Sequence, residues 1–255
     1  MKKLLLMLGV LILLGSLWLV SKPSVAELGI AFAEPAKAGQ SLTVTWFGVT
    51  TLLIDDGVTQ ILIDGYFSRP SLLDIALERA IEPDQAAIEG MLDRFEINRL
   101  KAVIPVHSHF DHALDSAEIA NQTGAQLMGS TTTAQIAAGS NLAPDQVKVI
   151  ETATVYSVGA FDVTFYPSQH APLATNSAIS GTVTAPLTLP APYTAWKLGQ
   201  AYTLVISHPN GRMLVQGSAG FVPGALAEIE VDAVFLGTGG LPALSRAHQL
   251  AYLDE

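Results

Sequence analysis

Residues 103–115 read Val-Ile-Pro-Val-His-Ser-His-Phe-Asp-His-Ala-Leu-Asp, which places three of the chain's six histidines within six consecutive positions. Crowded imidazoles repel one another once protonated, and each needs a hydrogen-bond partner when buried. A shared cation removes both costs. What precedes the cluster narrows the fold as well. Residues 101–106, KAVIPV, form a short and almost wholly apolar run, as expected of a strand covered on both faces. A polar cluster directly behind such a strand is the position where layered α/β domains keep their chemistry.

The flanking sequence predicts the same class. Residues 42–65 read as strands, because Leu42, Val44 and Trp46 alternate with threonines and Asp56-Gly57 is a turn signal between two apolar runs. Residues 71–97 read as helical, with Ile88, Met91, Leu92 and Phe95 at i, i+3, i+4 and i+7 and Asp84 placed as an N-cap. Behind the cluster follow a helix over 113–124, a strand at 126–128, a helix over 132–138 and a strand at 147–151. This alternation is the pattern of an α/β layered domain. A hairpin over 154–170 delivers His170 just past a strand end. Residues 171–195, rich in Pro, Thr and Ala without periodicity, read as a long ordered loop and a lid over the site. A second hairpin turns at Pro209-Asn210-Gly211, residues 233–237 read as a further buried strand, and a helix from 243 ends the chain.

Composition bounds the partners. A hydrophobic share of 49% over 255 residues is ample for a large core, and a net charge of −10 argues against a broad nucleic-acid surface. The chain has no cysteine, which excludes disulfides, thiolate ligands, a cysteine nucleophile and a lipoprotein anchor. Lys2 and Lys3 precede an apolar run over 4–20 and a polar, proline-containing stretch at 21–24. Ser24-Val25-Ala26 and Ala31-Phe32-Ala33 both offer the small residues that a signal peptidase reads. The expectation is a signal peptide or amino-terminal membrane anchor over 1–26, a linker over 27–41 and one folded domain over 42–255. The domain would then be exported: periplasmic, secreted, or held at the outer face of the inner membrane through residues 4–20.

His107 and His109 are two apart, so on an extended loop both imidazoles point to one side and chelate one ion. Asp111 and His112 then face a neighbouring position. His170, also behind a strand, is the candidate for a third nitrogen, giving a three-histidine site with its fourth position open to water. Such an ion lowers the pKa of water to roughly 7. A polar turn with surface histidines is the competing reading, and an ordered set of three argues against it. His208 beside the Pro-Asn-Gly turn reads as solvent-facing, and His248 falls on the terminal helix. Asp115 and Glu118 open a helix, where carboxylates suit the helix dipole. Trp196 and Tyr193 either line a pocket or pack.

His107-Ser108-His109-Phe110-Asp111-His112 resembles the H-x-H-x-D-H signature of the metallo-β-lactamase superfamily, in its context after a buried strand. ILIDG at 61–65 resembles that family's early strand ending in aspartate. TWFGVTTLLID at 45–55 resembles the opening strands of the branch holding ascorbate-phosphate lactonases and phospholipase-D-like hydrolases of N-acyl ethanolamine lipids. The resemblance covers about residues 42–240. It implies an αββα sandwich with one or two metal ions at its edge, and hydrolysis of an ester, lactone, amide or phosphoester by a metal-bound hydroxide. The substrate would be a small or lipid-like molecule. Carried over by position, His107, His109 and His170 hold the first metal, and Asp111 and His112 the second. Asp64 orients a ligand histidine from behind, and Asp111 also manages the proton of the nucleophilic water. Nitrogen-rich ligands make Zn2+ the default, while imidazole also accepts Fe2+ and a carboxylate-containing second position suits Mn2+.

Two departures from the family pattern shape the expectation. Gly217-Ser218 stands where many members have a Gly-Asp pair bridging two metals, and a neutral serine is a poor bridge. Ser218 is left as a neighbour of the ligands. Members also carry a last histidine on a strand beyond VFLGTGG, whereas this sequence stops at Glu255, so the sandwich is expected to be truncated at its C-terminal edge. One tight ion, with at most a weaker second, follows. The rival expectation is a catalytically silent metal- or ligand-binding protein of the same fold.

Overall fold

The computed structural model describes residues 42–172 and 177–255. The leader and linker expected over residues 1–41 lie outside the described residues. β1 (Thr43–Trp46), β2 (Leu52–Asp55) and β3 (Gln60–Ile63) form an antiparallel meander. Its tight turn follows from Asp56, whose Oδ1 accepts the N–H groups of Val58 and Thr59, and from Gly57 at φ +83°.

The helix expected over 71–97 is broken. Instead, α1 (Leu72–Ala76), a short strand β4 (Ala80–Ile81) and α2 (Gln85–Arg94) occupy the segment. Two caps account for this: the side chains of Ser71 and Asp84 accept from Asp74 N and Ala87 N, so each starts its own helix. Pro83 also holds Glu82 out of helical geometry. β5 (Leu100–Ile104) leads into α3 (Phe110–Ala113) and α4 (Ser116–Thr123), which ends at Gly124 with φ +70°. β6 (Gln126–Gly129), α5 (Thr131–Gly139) and β7 (Val147–Val149) complete the first half. The second half holds β8 (Val155–Val158), β9 (Phe161–Ser168), β10 (Ala191–Pro192), β11 (Ala201–His208), β12 (Gly211–Gln216), β13 (Ala233–Leu236) and α6 (Arg246–Asp254).

Two sheets result, ordered β1-β2-β3-β5-β6-β7 and β13-β12-β11-β9-β8, with β4 and β10 paired apart from both. They pack face to face. Leu52, Ile54, Ile61, Ile63 and Ile104 of the first sheet meet Phe161, Val163, Phe165, Leu204, Ile206 and Val215 of the second in one buried cluster. The alternate residues Leu53, Leu62, Val103 and Leu127 turn outward under α2 and α4, against Ile88, Ile119 and Ala120. Strands β2 and β3 are therefore buried on both faces, and each such aliphatic side chain contributes roughly 1.5–3 kcal/mol. On the outer side of the second sheet, α6 joins Leu214, Val234 and Leu236 around an apolar groove of about 270 Å3. Helices thus lie outside both sheets, the αββα arrangement.

β13 departs from the buried strand expected there. It pairs with β12 in parallel, and among the described residues nothing pairs with its other edge. Val234 is 52% and Leu236 39% exposed. An apolar run specifies a strand, whereas the layers that cover it depend on the rest of the fold. Among the described residues no helix is long and apolar enough to cross a membrane.

Candidate metal centre

The loop after β5, the loop after β9 and the loop after β12 meet at one end of the sandwich. In the first loop, His107 and His109 flank Ser108, and the near-extended backbone at His109 (φ −65°, ψ 156°) puts both imidazoles on one side. Ser108 turns the other way, into a buried hydroxyl cluster 3.0 Å from Thr133 Oγ1 and 3.4 Å from Ser130 Oγ. Its N–H donates to Leu198 O at 3.0 Å, which locks the alternation in place. His170 arrives from β9. One ring nitrogen from each of His107, His109 and His170 lies within 4.8 Å of the others.

Backbone carbonyls choose the tautomers. A carbonyl can only accept, so His170 Nδ1 donates to Ala171 O at 2.9 Å and leaves Nε2 as its lone pair. His109 Nε2 donates to Ile179 O at 3.2 Å and leaves Nδ1 free. His107 Nε2 is buried without a hydrogen-bond partner among the described residues. Burial, reinforced by the neighbouring imidazoles of His112, His109 and His170, holds the His107 pKa well below the usual histidine value. Burial also brings His109 down to about 4, against the pull of Asp111 and with the push of His170. Both rings are therefore neutral at neutral pH with lone pairs available. Three converging nitrogens, one of them buried and unpartnered, fit a divalent transition metal.

The other two residues of the run are built differently. His112, on α3, is buried and donates from Nδ1 to Asp64 Oδ2 at 2.6 Å. Burial opposes its charge, but the carboxylates of Asp64 and Asp111 outweigh it and raise its pKa to about 9. Asp64 itself is fully buried in the left-handed region at φ +60°, a conformation that aspartate tolerates better than most residues. Its Oδ1 accepts Val106 N–H at 2.9 Å and its backbone carbonyl accepts Ser116 Oγ–H at 2.7 Å. The histidine that Asp64 holds from behind is His112. Asp111 Oδ2 lies 3.6 Å from His112 Nε2, and the Asp111 side chain is 40% exposed. Neither Asp111 nor His112 joins the three-nitrogen cluster.

Ser218 touches the site through the backbone. Its Oγ accepts Ala171 N–H at 2.9 Å, anchoring the residue next to His170. A side chain on Gly217 would sit 2.2 Å from Val106 Cγ2, and one on Gly220 would sit 2.4 Å from the carbonyl oxygens of Gln169 and His170. Only glycine permits this loop to press so closely on both ligand-bearing segments.

One further expectation is corrected. His208 is not solvent-facing: its side chain is 7% exposed, with Nε2 at 3.4 Å from Asp56 Oδ2 and its ring on Phe161, at the far end of the sandwich. His248 Nε2 donates to Ala219 O at 2.7 Å and so ties α6 to the loop holding Ser218. Trp196 is fully buried and Tyr193 packs on Phe110, so both are packing residues. Of the expected lid over 171–195, residues 171–172 and 177–195 are described, and the latter stretch is pinned down by the β10–β4 pairing and by Leu187 N–H donating to Gln135 O. Ala171, at the start of that segment, lines the cavity over the centre, about 540 Å3 in volume and floored by Asp111, His112 and His170, whereas residues 177–195 do not line it. Sequence reasoning missed Trp46 and Val49 on the cavity rim. The available signal was Gly48, which marks a turn inside a strand-like run.

No family model matches the chain. A UPF0173 metal-dependent hydrolase of Methylobacterium nodulans is 26% identical over 149 residues, covering 58% of this chain and 55% of that protein. A UPF0173 metal-dependent hydrolase of Pyrobaculum islandicum is 28% identical over 91 residues, covering 35% of this chain and 32% of that protein. The chain thus spans about half the length, or less, of the curated relatives it matches. Among solved structures, a metallo-β-lactamase of Cronobacter sakazakii is 13% identical and covers 88% of this chain and 93% of that one, with a TM-score of 0.47. The H-x-H-x-D-H run behind β5 and the two-sheet sandwich agree with what the sequence resemblance to the metallo-β-lactamase superfamily implies.

Proposed function

We propose that this protein is a metal-dependent hydrolase acting on a small-molecule ester, lactone or phosphoester. The observation that carries the reading is the convergence of three histidine nitrogens, two of them turned by backbone carbonyls, with His170 opening onto a cavity. When bound, a divalent ion supplies Lewis acidity toward water and toward a carbonyl or phosphoryl oxygen. His107, His109 and His170 would hold it, and Ile179 O and Ala171 O keep the ligating nitrogens turned inward. Asp111, exposed to the cavity, would take a proton from the attacking water. Zinc is the ion that the nitrogen donor set favours, with one tight position and a weaker second beside Asp111 and His112. Lys2, Lys3 and the apolar run over 4–20 support export, with that run as signal or anchor.

Ser218 favours a second reading, a silent metal- or ligand-binding protein, because no carboxylate stands at that position to bridge a second ion. One experiment separates the two. The purified protein is loaded with Zn2+, Mn2+ or Fe2+ and assayed on generic ester, lactone and phosphodiester substrates, with and without a chelator. Turnover that the chelator stops and the His109→Ala variant lacks supports the hydrolase. One bound ion per chain with no turnover of any class supports the silent protein.

A further inference from the structure

We infer that the substrate is an uncharged acyl compound, an ester or lactone bearing an apolar chain, and that Trp46 and Val49 select it. The inference rests on the hydrolase reading above and narrows its substrate. The cavity has two unlike walls. Asp111, His112, His170 and Ser218 form one, and Trp46, Val49 and Leu236 form the other. Those three are large apolar side chains left 46%, 45% and 39% exposed beside a polar centre. Such a wall needs an apolar occupant to remove it from water.

The rim that carries it is held in an unfavourable backbone shape. Val49 sits at φ +50° directly after Gly48 at φ +99°. A β-branched residue in the left-handed region is a true outlier, and such strain persists where the surrounding contacts enforce it. Here Trp46 Nε1–H donates to Val49 O at 3.0 Å, while Phe47 N–H and Thr51 N–H donate to Thr51 O and Gly48 O, each at 2.9 Å. The indole therefore braces the strained turn and forms the wall together with it.

Charge separates acyl from phosphoryl substrates. Stabilising an anionic phosphoester in reaction calls for several cationic groups around its oxygens. No lysine or arginine is among the described residues lining the cavity. The His112 imidazole there is already engaged, its Nδ1 2.6 Å from Asp64 Oδ2. Asp111 adds a negative charge to the same wall, and the chain as a whole carries −10. A neutral carbonyl compound meets none of this repulsion. In the reaction, the oxygen of water bonds to the acyl carbon and the acyl C–O bond breaks. One water proton ends on the departing alkoxide oxygen, and the acid product releases the other as it ionises.

Two readouts test the inference. First, metal-free protein is titrated with γ-nonalactone while tryptophan emission is followed. Of the three tryptophans, Trp196 is fully buried and Trp18 lies in the leader, so Trp46 is the reporter at the cavity. A blue shift is expected with γ-nonalactone, none with dibutyl phosphate, and none in Trp46→Phe. Second, Zn2+-loaded protein is assayed on p-nitrophenyl octanoate, p-nitrophenyl acetate and bis-p-nitrophenyl phosphate. Trp46→Ala and Val49→Gly should each raise KM for the octanoate about tenfold and leave that for the acetate nearly unchanged. Val49→Gly suits the left-handed backbone and keeps the fold. Faster turnover of the phosphodiester than of the octanoate overturns the inference and leaves the hydrolase reading standing. Equal KM changes for octanoate and acetate also overturn it. A blue shift without turnover of any substrate removes the hydrolase reading and supports the apolar selection alone.

Discussion

The two halves of the histidine run lie side by side and are prepared for opposite charge states. Burial holds His107 and His109 neutral, backbone carbonyls turn His109 and His170, and His107 Nε2 has no hydrogen-bond partner among the described residues. His112 already holds a proton against Asp64 and Asp111, so a cation there must first expel it. Asp111 is half in solvent and gains less from pairing. Adjacent residues of one motif can therefore differ widely in metal affinity, because what stands behind each ligand decides how ready it is.

The largest effect that can break this comparison is on metal content. His107→Ala should lower the affinity for Zn2+ by more than about 100-fold, so that dialysed protein falls from near one ion per chain to almost none. His112→Ala should retain the ion. Elemental analysis decides the matter, and equal loss in both variants would make the two halves a single site.

Next in size is the pH dependence of the metal-free protein. His112 is raised to about 9, so its pair with Asp64 stabilises fully below the unfolded value of 6.5. That stabilisation is lost as pH rises through about 9, and its full size is roughly 3 kcal/mol. His107 and His109 work in the other direction. Their folded pKa values are depressed, His109 to about 4, so the unfolded chain binds more protons and stability falls as pH drops below 6.5. Urea unfolding in the presence of a chelator, from pH 4 to 10, should show both limbs. His112→Gln should flatten the alkaline limb and His109→Gln part of the acid one. Alkaline limbs of equal height in wild type and His112→Gln would sink the assignment of charge.

The smallest expected effect is at Ser218. Ser218→Ala removes the acceptor of Ala171 N–H, at a cost of about 1 kcal/mol and a melting temperature lower by about 2–4 °C. Calorimetry measures that, and bound Zn2+ should stay constant. Loss of the ion would show that Ser218 controls the first half of the site as strongly as a ligand does.

Local signals carried much of this molecule. The i, i+2 spacing of His107 and His109 put both rings on one side, because an extended backbone alternates its side chains. Asp84 caps its helix as read, since a cap needs only its own next three residues. The apolar run at 101–106 made a strand with chemistry at its end, and the place of His170 behind another strand named it as the candidate third nitrogen.

Other features needed the assembled fold. The helical period over 71–97 was outvoted by two caps and a proline. β13 has the sequence of a buried strand and the exposure of an edge, because composition cannot say what lies on either side of it. His208 looked like a hairpin tip until Phe161 and Asp56 closed over it from other strands. The same holds for the charge on His112, which comes from Asp64, 48 positions away in sequence. Spacing determined which residues could act together. Only tertiary packing, by burying some imidazoles bare and pairing another with a carboxylate, decided which of them stand ready for a metal.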